Sequence, residues 1–399
     1  MNPQDIRAAQ DKLLFTKLQK ERAVIEVNKQ IARQEREGPL GTRRRLLATS
    51  VKLSESMAPG LTRIAKDCIE KLSVDLPTEL YAYNSPQFNA ACVKPEEGKL
   101  FIMFSSSLLD AFDEAELHFV MGHELGHFIF GHHDLPIGYL LRGNPPVGPE
   151  LALGLTSWSR YAEFSADRAG AICVNDFEAV SRALFKLASG VTSQVVRFKL
   201  DDFLRQVDEM QFEDGEGGMQ SAPQDWFMTH PFSPLRVKAL QVFHRSELML
   251  ENGASVDDME LSIEGLMGLM EPSYLQARTE GDKAMRHMLF AGALAVANAD
   301  DDISEKEIDV FEKFFGENEF NETLDIEKLT ERLPVRADRV VKNTSVPKRM
   351  QLVRDLCVVA RAEGKCHPAA LRQLHEIAAL LEVPDIFIEQ AICGDAELD

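Results

Sequence analysis

The sequence predicts an α+β protein, mainly α, and three observations carry that prediction. The run Phe119–Phe130 is rich in apolar residues and unbroken before Gly131, as a buried helix requires. Glu79–Tyr83 and Lys99–Phe104 read as short strands of one small sheet. From about residue 274 onward, alanine-rich runs alternate with acidic turns, the pattern of an all-α unit. The chain has 399 residues, and a prior of ~150 residues per domain gives two or three domains. The expected division is an N-terminal helical arm over 1–46, a domain over 47–250, a linker over 251–273 and a helical domain over 274–399.

Composition narrows the function classes. Lysine and arginine against aspartate and glutamate give 44 − 64 = −20. Such a surface excludes nucleic-acid binding through bulk charge, and it lacks a broad basic face for anionic lipid. Met1–Arg7 opens no apolar signal segment, and no stretch reaches the ~18 apolar residues of a membrane span. The six cysteines form no CxxC pair and mostly lie in apolar, helix-like surroundings. They read as reduced thiols, which with the missing signal segment implies a cytoplasmic protein.

Taken in order, residues 3 to about 37 read as one long helix, with Leu14, Leu18, Ile25 and Ala32 near one face. A second helical region covers 47–73, with a turn at Met57–Gly60. Ala90–Val93 and Lys99–Phe104, joined through Pro95-Glu96-Glu97-Gly98, read as a hairpin. Asp113 and Glu116 have the spacing of a capping box and open the central helix. His132 and His133 are expected to cap its end, where a partly positive ring suits the helix dipole. Residues 134–150, with four prolines and three glycines, read as a loop. Trp158 is expected to begin the next helix, and Phe177–Ser189 another. The polar, glycine-rich stretch 211–224 reads as a mobile insertion.

The central helix carries His123-Glu124-Leu125-Gly126-His127. Residues four apart share one helical face, so His123 and His127 can point at one metal ion. Glu124 then lies beside it, where a carboxylate can take the proton of a water acidified by zinc. A catalytic zinc wants three protein ligands and one open position. Downstream, Glu163 and Asp167 are again four apart on one face. Glu163 is the candidate third ligand, and Asp167 the acceptor that fixes a ligand histidine's tautomer. Ala162, Ala166, Ala169 and Gly170 on the same helix suit close packing against another helix.

These pieces resemble the gluzincin metallopeptidases, and within them metallopeptidase family 48, the group of HtpX-like and CAAX prenyl proteases. The similarity runs in order through Ser106–Asp110, the capped helix, His123–His127, Glu163 and Asp167, and Thr229–Leu240, across roughly residues 60–250. It implies a gluzincin zinc-peptidase domain built on a small sheet and the HExxH helix. It also implies that Asn89 and Ala90, in Ser85–Ala90, belong to a strand lip that grips the substrate chain. His230 and Arg236 are candidates to stabilise the developing oxyanion. Arg236 can instead support Glu163 or Asp167. The reading that follows is a soluble zinc metalloendopeptidase with one Zn2+ per chain and Glu124 as general base. Its catalytic residues are Glu124, His230 and Arg236, and its partners are peptide or protein substrates. The rival is a non-catalytic peptide-binding scaffold with a structural zinc. Glu124 has no purpose in a scaffold, and structural zinc takes four protein ligands.

The last third is similar to the TerB-like domain of tellurite-resistance proteins over about 275–395. Ala293–Glu307 gives an alanine-rich helix, an acidic turn and a new helix, and Val358–Leu371 echoes it. Asp300, Asp302 and Glu307 are candidates for a hard cation. The turn lacks a full ligand pattern, however, and an acidic helix start capped by Ser304 explains the same residues. This domain is expected to bind a protein partner or to regulate access to the cleft.

Overall fold

The computed structural model describes residues 3–37, 41–143, 147, 149–192, 195–216, 229–270, 280–300, 302–315, 320, 324–344, 346–363, 366–385 and 387–388. The chain divides into two compact units, Met1–Leu204 with Phe227–Gly253, and Arg205–Trp226 with Ala254–Asp399.

The first unit opens with a 3-10 turn at Pro3–Asp5, followed by α1 (Ala9–Leu18) and α2 (Arg22–Glu37). The expected single helix over 3–37 is therefore interrupted, and the reason is packing. Leu18 and Val24 are both buried in one apolar cluster with Leu155, Trp158 and Ala162. Six residues apart, they would fall on different faces of a continuous helix. The break after Leu18 brings them together, and Ile25 is left exposed. Next come α3 (Thr42–Thr49), β1 (Val51–Leu53) and α4 (Pro59–Lys71), so the second helical region is split by a strand.

β2 (Thr78–Tyr83), β3 (Ala90–Glu96) and β4 (Lys99–Ser105) complete a sheet of order β1-β2-β4-β3. β2 and β4 run parallel, whereas β1 pairs β2 and β3 pairs β4 antiparallel. The predicted hairpin is present, with Ala90 opposite Phe104 and Cys92 opposite Ile102. Its connection is Glu97-Gly98, both at positive φ (52° and 70°), as a twist-matched two-residue turn requires. The hairpin leaves β3 at the sheet edge.

After α5 (Ser106–Ala111) comes the central helix α6 (Glu114–Ile129). Its capping box forms as the sequence indicates: Asp113 accepts from the Glu116 amide, and Glu116 accepts from the Asp113 amide, each at 2.9 Å. Beyond α7 (Ile137–Leu141), α8 runs over Pro149–Val174. Trp158 thus lies inside this helix, and part of the expected loop is helical. The small residues act as foreseen. A Cβ on Gly126 would lie 2.9 Å from Ala166 Cα, and one on Gly170 would lie 2.6 Å from the Phe119 carbonyl oxygen. Nothing larger than hydrogen lets α6 and α8 approach so closely. α9 (Phe177–Ser189) matches its predicted bounds, with Asp176 as its N-cap and Gly190 at φ 67° ending it. α10 (Leu200–Glu216) spans the boundary between the units, and α11 (Ser233–His244) closes the first. Of the expected insertion, residues 211–216 continue α10, and 217–224 lie outside the described residues.

In the second unit, α12 (Val256–Met267) is capped by Ser255 and falls inside the stretch expected as linker. α13 (Glu280–Ala297) forms the centre, surrounded by α14 (Glu305–Phe315), α15 (Ile326–Glu331), α16 (Leu333–Asn343), α17 (Val346–Ala360) and α18 (Pro368–Leu380). Met285, Leu289, Leu294, Val353, Leu356 and Leu374 fill its core. The repeated pattern read in the sequence corresponds to α13–turn–α14 and α17–turn–α18. Ser304 caps α14 reciprocally with Glu307. Among the described residues, no three metal-ligating groups converge at Asp300, Asp302 and Glu307. Among the same residues, no helix is long and apolar enough to cross a membrane.

Candidate metal centre

The tight crossing of α6 and α8 sets the site. His123 and His127 project from consecutive turns of α6 toward Glu163, which sits on α8 one turn before Asp167. His123 Nε2 lies 3.6 Å from Glu163 Oε2, and His127 Nε2 lies 3.4 Å from Glu163 Oε1. The two imidazole Nε2 atoms are 3.2 Å apart. Ligands at about 2.0–2.1 Å from a tetrahedral ion stand about 3.3 Å from one another. Among the described residues this is the grouping of three ligand atoms that could hold a metal.

The donor chemistry gives an independent test of fit. Asp167 Oδ1 lies 2.9 Å from His123 Nδ1 and, as a carboxylate, accepts its proton-bearing edge. His123 Nε2 therefore presents a lone pair. The second histidine is held by a different route. His127 Nδ1 is 2.8 Å from His132 Nδ1, and His132 Nε2 is 3.0 Å from Asp11 Oδ2. With His132 donating to Asp11, its Nδ1 accepts from His127, and His127 Nε2 also presents a lone pair. Two lone pairs and a carboxylate converging without a proton between them fit a cation.

Burial raises the cost of charge on both acids of α8, but opposite charges outweigh it. Arg236 beside Asp167 holds that carboxyl below the usual range, and its charge also helps to hold Glu163 well below it. Arg236, at the start of α11, donates through Nε to Asp167 Oδ2 at 2.8 Å, and its Nη2 lies 3.4 Å from Glu163 Oε2. Burial lowers its basicity, but the two carboxylates raise it above the ordinary arginine value. Its contacts with the two carboxylates run through Nε and Nη2. His132 is pushed down to about 4 by burial, which keeps it neutral at pH 7.

Glu124 is buried beside the ligands, and its Oε2 accepts from the Cys92 amide of β3 at 2.7 Å. His230 is largely exposed, with Nε2 3.5 Å from Glu163 Oε1 and Nδ1 2.9 Å from Thr229 Oγ1. Asn89 and Ala90 stand at the start of edge strand β3, with the Asn89 amide donating to Ser105 Oγ. His132 does not act as the expected end cap. It is buried in a 3-10 turn after α6 and bonded to His127.

Sequence reasoning missed Asp11 and the linking role of His132. No signal in the sequence marks Asp11, because its burial arises only from tertiary packing.

Residues 55–142 and 146–243 match the family model described as Peptidase family M48, and residues 286–391 match that of tellurite resistance protein TerB. A plastoglobule-localized metallopeptidase 48, chloroplastic, from Arabidopsis thaliana is 29% identical over 220 residues, which is 50% of this chain and 61% of that protein. The chain thus spans about three-fifths of the length of this curated relative. No solved structure matches the chain.

Proposed function

We propose, on the premise that this chain carries an M48-family peptidase domain followed by a TerB-like helical domain, that it is a zinc-dependent metalloendopeptidase. The observation that carries the reading is the convergence of His123, His127 and Glu163 with Glu124 one residue from the first ligand. Zinc bound there would polarise a peptide carbonyl and acidify a water. Glu124 then takes a proton from the attacking water and delivers it to the leaving amine. With Oε2 held by the Cys92 amide, Oε1 is the oxygen that exchanges this proton.

Asp167 orients His123, and Arg236 acts as its support. Arg236 meets the carboxylates through Nε and Nη2, so its Nη1 group and His230 are both read as donors to the developing oxyanion. Asn89 and Ala90 lie on a strand edge suited to adding an extended peptide through main-chain hydrogen bonds. The TerB-like unit is read as regulatory or partner-binding, and the protein as working without a membrane span.

Glu124→Gln tests the reading because it keeps the shape and removes the base. Zinc content should stay at one per chain while cleavage of an unstructured peptide falls at least ~100-fold. Equal cleavage by the variant and the parent overturns the assignment.

A further inference from the structure

We propose that Asp11, on the N-terminal helix α1, is a positioning residue of the metal centre, acting through His132 to fix the tautomer of His127. This inference rests on His127 being a metal ligand, as read above. Asp11 lies outside the segments that match the peptidase family, which begin at residue 55. Yet it is fully buried, and it collects more hydrogen bonds than a helix-surface carboxylate needs.

Oδ1 accepts from Trp158 Nε1 at 2.9 Å and from Arg7 Nη2 at 3.0 Å. Oδ2 accepts from Ser165 Oγ at 2.7 Å, from Arg7 Nε at 2.9 Å and from His132 Nε2 at 3.0 Å. Every partner donates, so the group must remain a pure acceptor.

That requirement travels along the chain of contacts. A carboxylate at Oδ2 obliges His132 to carry its proton on Nε2. His132 Nδ1 is then a lone pair, 2.8 Å from His127 Nδ1, which must carry the proton of that contact. His127 Nε2 is left with the lone pair that a metal needs. Without the acceptor at position 11, His132 can place its proton on Nδ1 instead. His127 then accepts at Nδ1 and carries its own proton on Nε2, facing the metal position.

The helix that brings Asp11 here is fastened around it. The Ala8 amide donates to Ser165 Oγ at 3.0 Å, and Gln4 Nε2 donates to the Ile129 carbonyl at the end of α6 at 3.1 Å. The N-terminal segment is thus built into the metal centre.

The test uses the full chain with Asp11→Asn and Asp11→Ala, and Trp158→Phe as a control. The control removes one bond to the opposite oxygen of Asp11 and keeps an aromatic ring against His132. Zinc affinity is read by competition with a chromophoric chelator. The His127 tautomer is read in metal-free protein from two-bond proton–nitrogen correlations of the ring.

Zinc Kd should rise roughly 10–100-fold in both Asp11 variants, the range for lost support behind a ligand histidine. The His127 ring should shift toward the Nε2-protonated form. Trp158→Phe should lower thermal stability while Kd stays within about twofold of wild type. Should Asp11→Ala fold poorly, the isosteric Asp11→Asn decides the matter. Wild-type Kd and an unchanged His127 ring in Asp11→Asn overturn the inference. A Trp158→Phe loss of affinity as large as that of Asp11→Asn also overturns it, by reducing Asp11 to a packing role. A wild-type chain that binds no zinc overturns the metal reading beneath it, and this inference with it.

Discussion

The two histidines of the metal centre sit one helical turn apart, and they are steadied in unlike ways. His123 meets a carboxylate directly: Asp167, on the neighbouring helix, with Arg236 bonded to its far oxygen. His127 meets another imidazole, and the carboxylate stands one residue further back, on a helix more than a hundred positions earlier in the chain. Each row ends in a buried acid locked by an arginine, Arg236 in one case and Arg7 in the other. What differs is what a broken row leaves behind. Losing Asp167 leaves Arg236 still facing Glu163, 3.4 Å from its Nη2. Losing Asp11 leaves Arg7, whose side chain is as buried as that of Arg236, facing only the rings of Phe15 and Phe130 among the contacts of the described residues.

The largest expected effect follows from that contrast. Asp167→Ala should lose about 3–5 kcal/mol of stability, the usual cost of removing one partner from a buried ion pair. It should also weaken zinc binding. Asp11→Ala should cost at least as much, because Arg236 keeps a second carboxylate and Arg7 keeps aromatic rings, for a comparable loss of metal. Chemical denaturation of the metal-free variants compares the two, and a clearly smaller loss for Asp11→Ala would reverse the order of the rows.

A second variant acts on both rows at once. Gly170→Ala puts a methyl group 2.6 Å from the Phe119 carbonyl and forces α8 away from α6. Overpacking of this kind costs about 1–3 kcal/mol. Because Glu163 and Asp167 both move with α8, zinc affinity should fall and His123 should lose its fixed tautomer. Wild-type affinity with an unchanged His123 ring would show that the rows do not depend on the spacing of the two helices.

The smallest effect lies away from the centre. Burial raises the cost of charge on Glu79, but hydrogen bonds from Lys52, Tyr81 and Arg43 more than offset it and hold its carboxyl at about 2, against 4.5 ordinarily. Between those values the unfolded chain binds the proton and the folded chain does not. Stability from this group is therefore fully present above about pH 4.5 and lost as pH falls toward 2. Glu79→Gln should flatten the acid limb of the stability curve in that window by on the order of 1–2 kcal/mol. It should leave zinc affinity at pH 7 unchanged. A shift in affinity would mean that the sheet communicates with the metal rows.

Legibility in the sequence followed the range of each interaction. His123, Glu124 and His127 could be read together because helical spacing alone places them. The same holds for Glu163 with Asp167 and for the Asp113–Glu116 capping box. The close approach of α6 and α8 was readable from Ala162, Ala166, Ala169 and Gly170, since small residues on one face have few other uses. The relay behind His127 was not readable. Asp11, His132 and His127 meet only after α1 packs on α8, and no period in the sequence connects them. The interruption between α1 and α2 escaped for a related reason. Leu18 and Val24 are bound to the same cluster by tertiary packing, which overrode a helical pattern that looked continuous.

The bond between the Cys92 amide and Glu124 has a consequence for the protein's behaviour in concentrated solution. Ser105 donates to the Asn89 carbonyl across the hairpin, so the alternation along β3 turns the amides of Ala90 and Cys92 toward the open side of the sheet. An open side with a row of vacant donors is a template for pairing with another copy and for aggregation. Here the second donor is already occupied by Glu124, and Pro95, further along, has no amide to offer. Pairing is therefore confined to the Ala90 end, where a short stretch of extended peptide can add but a long strand from another copy finds no continuous ladder. The side chain that serves the chemistry also guards the sheet against self-association.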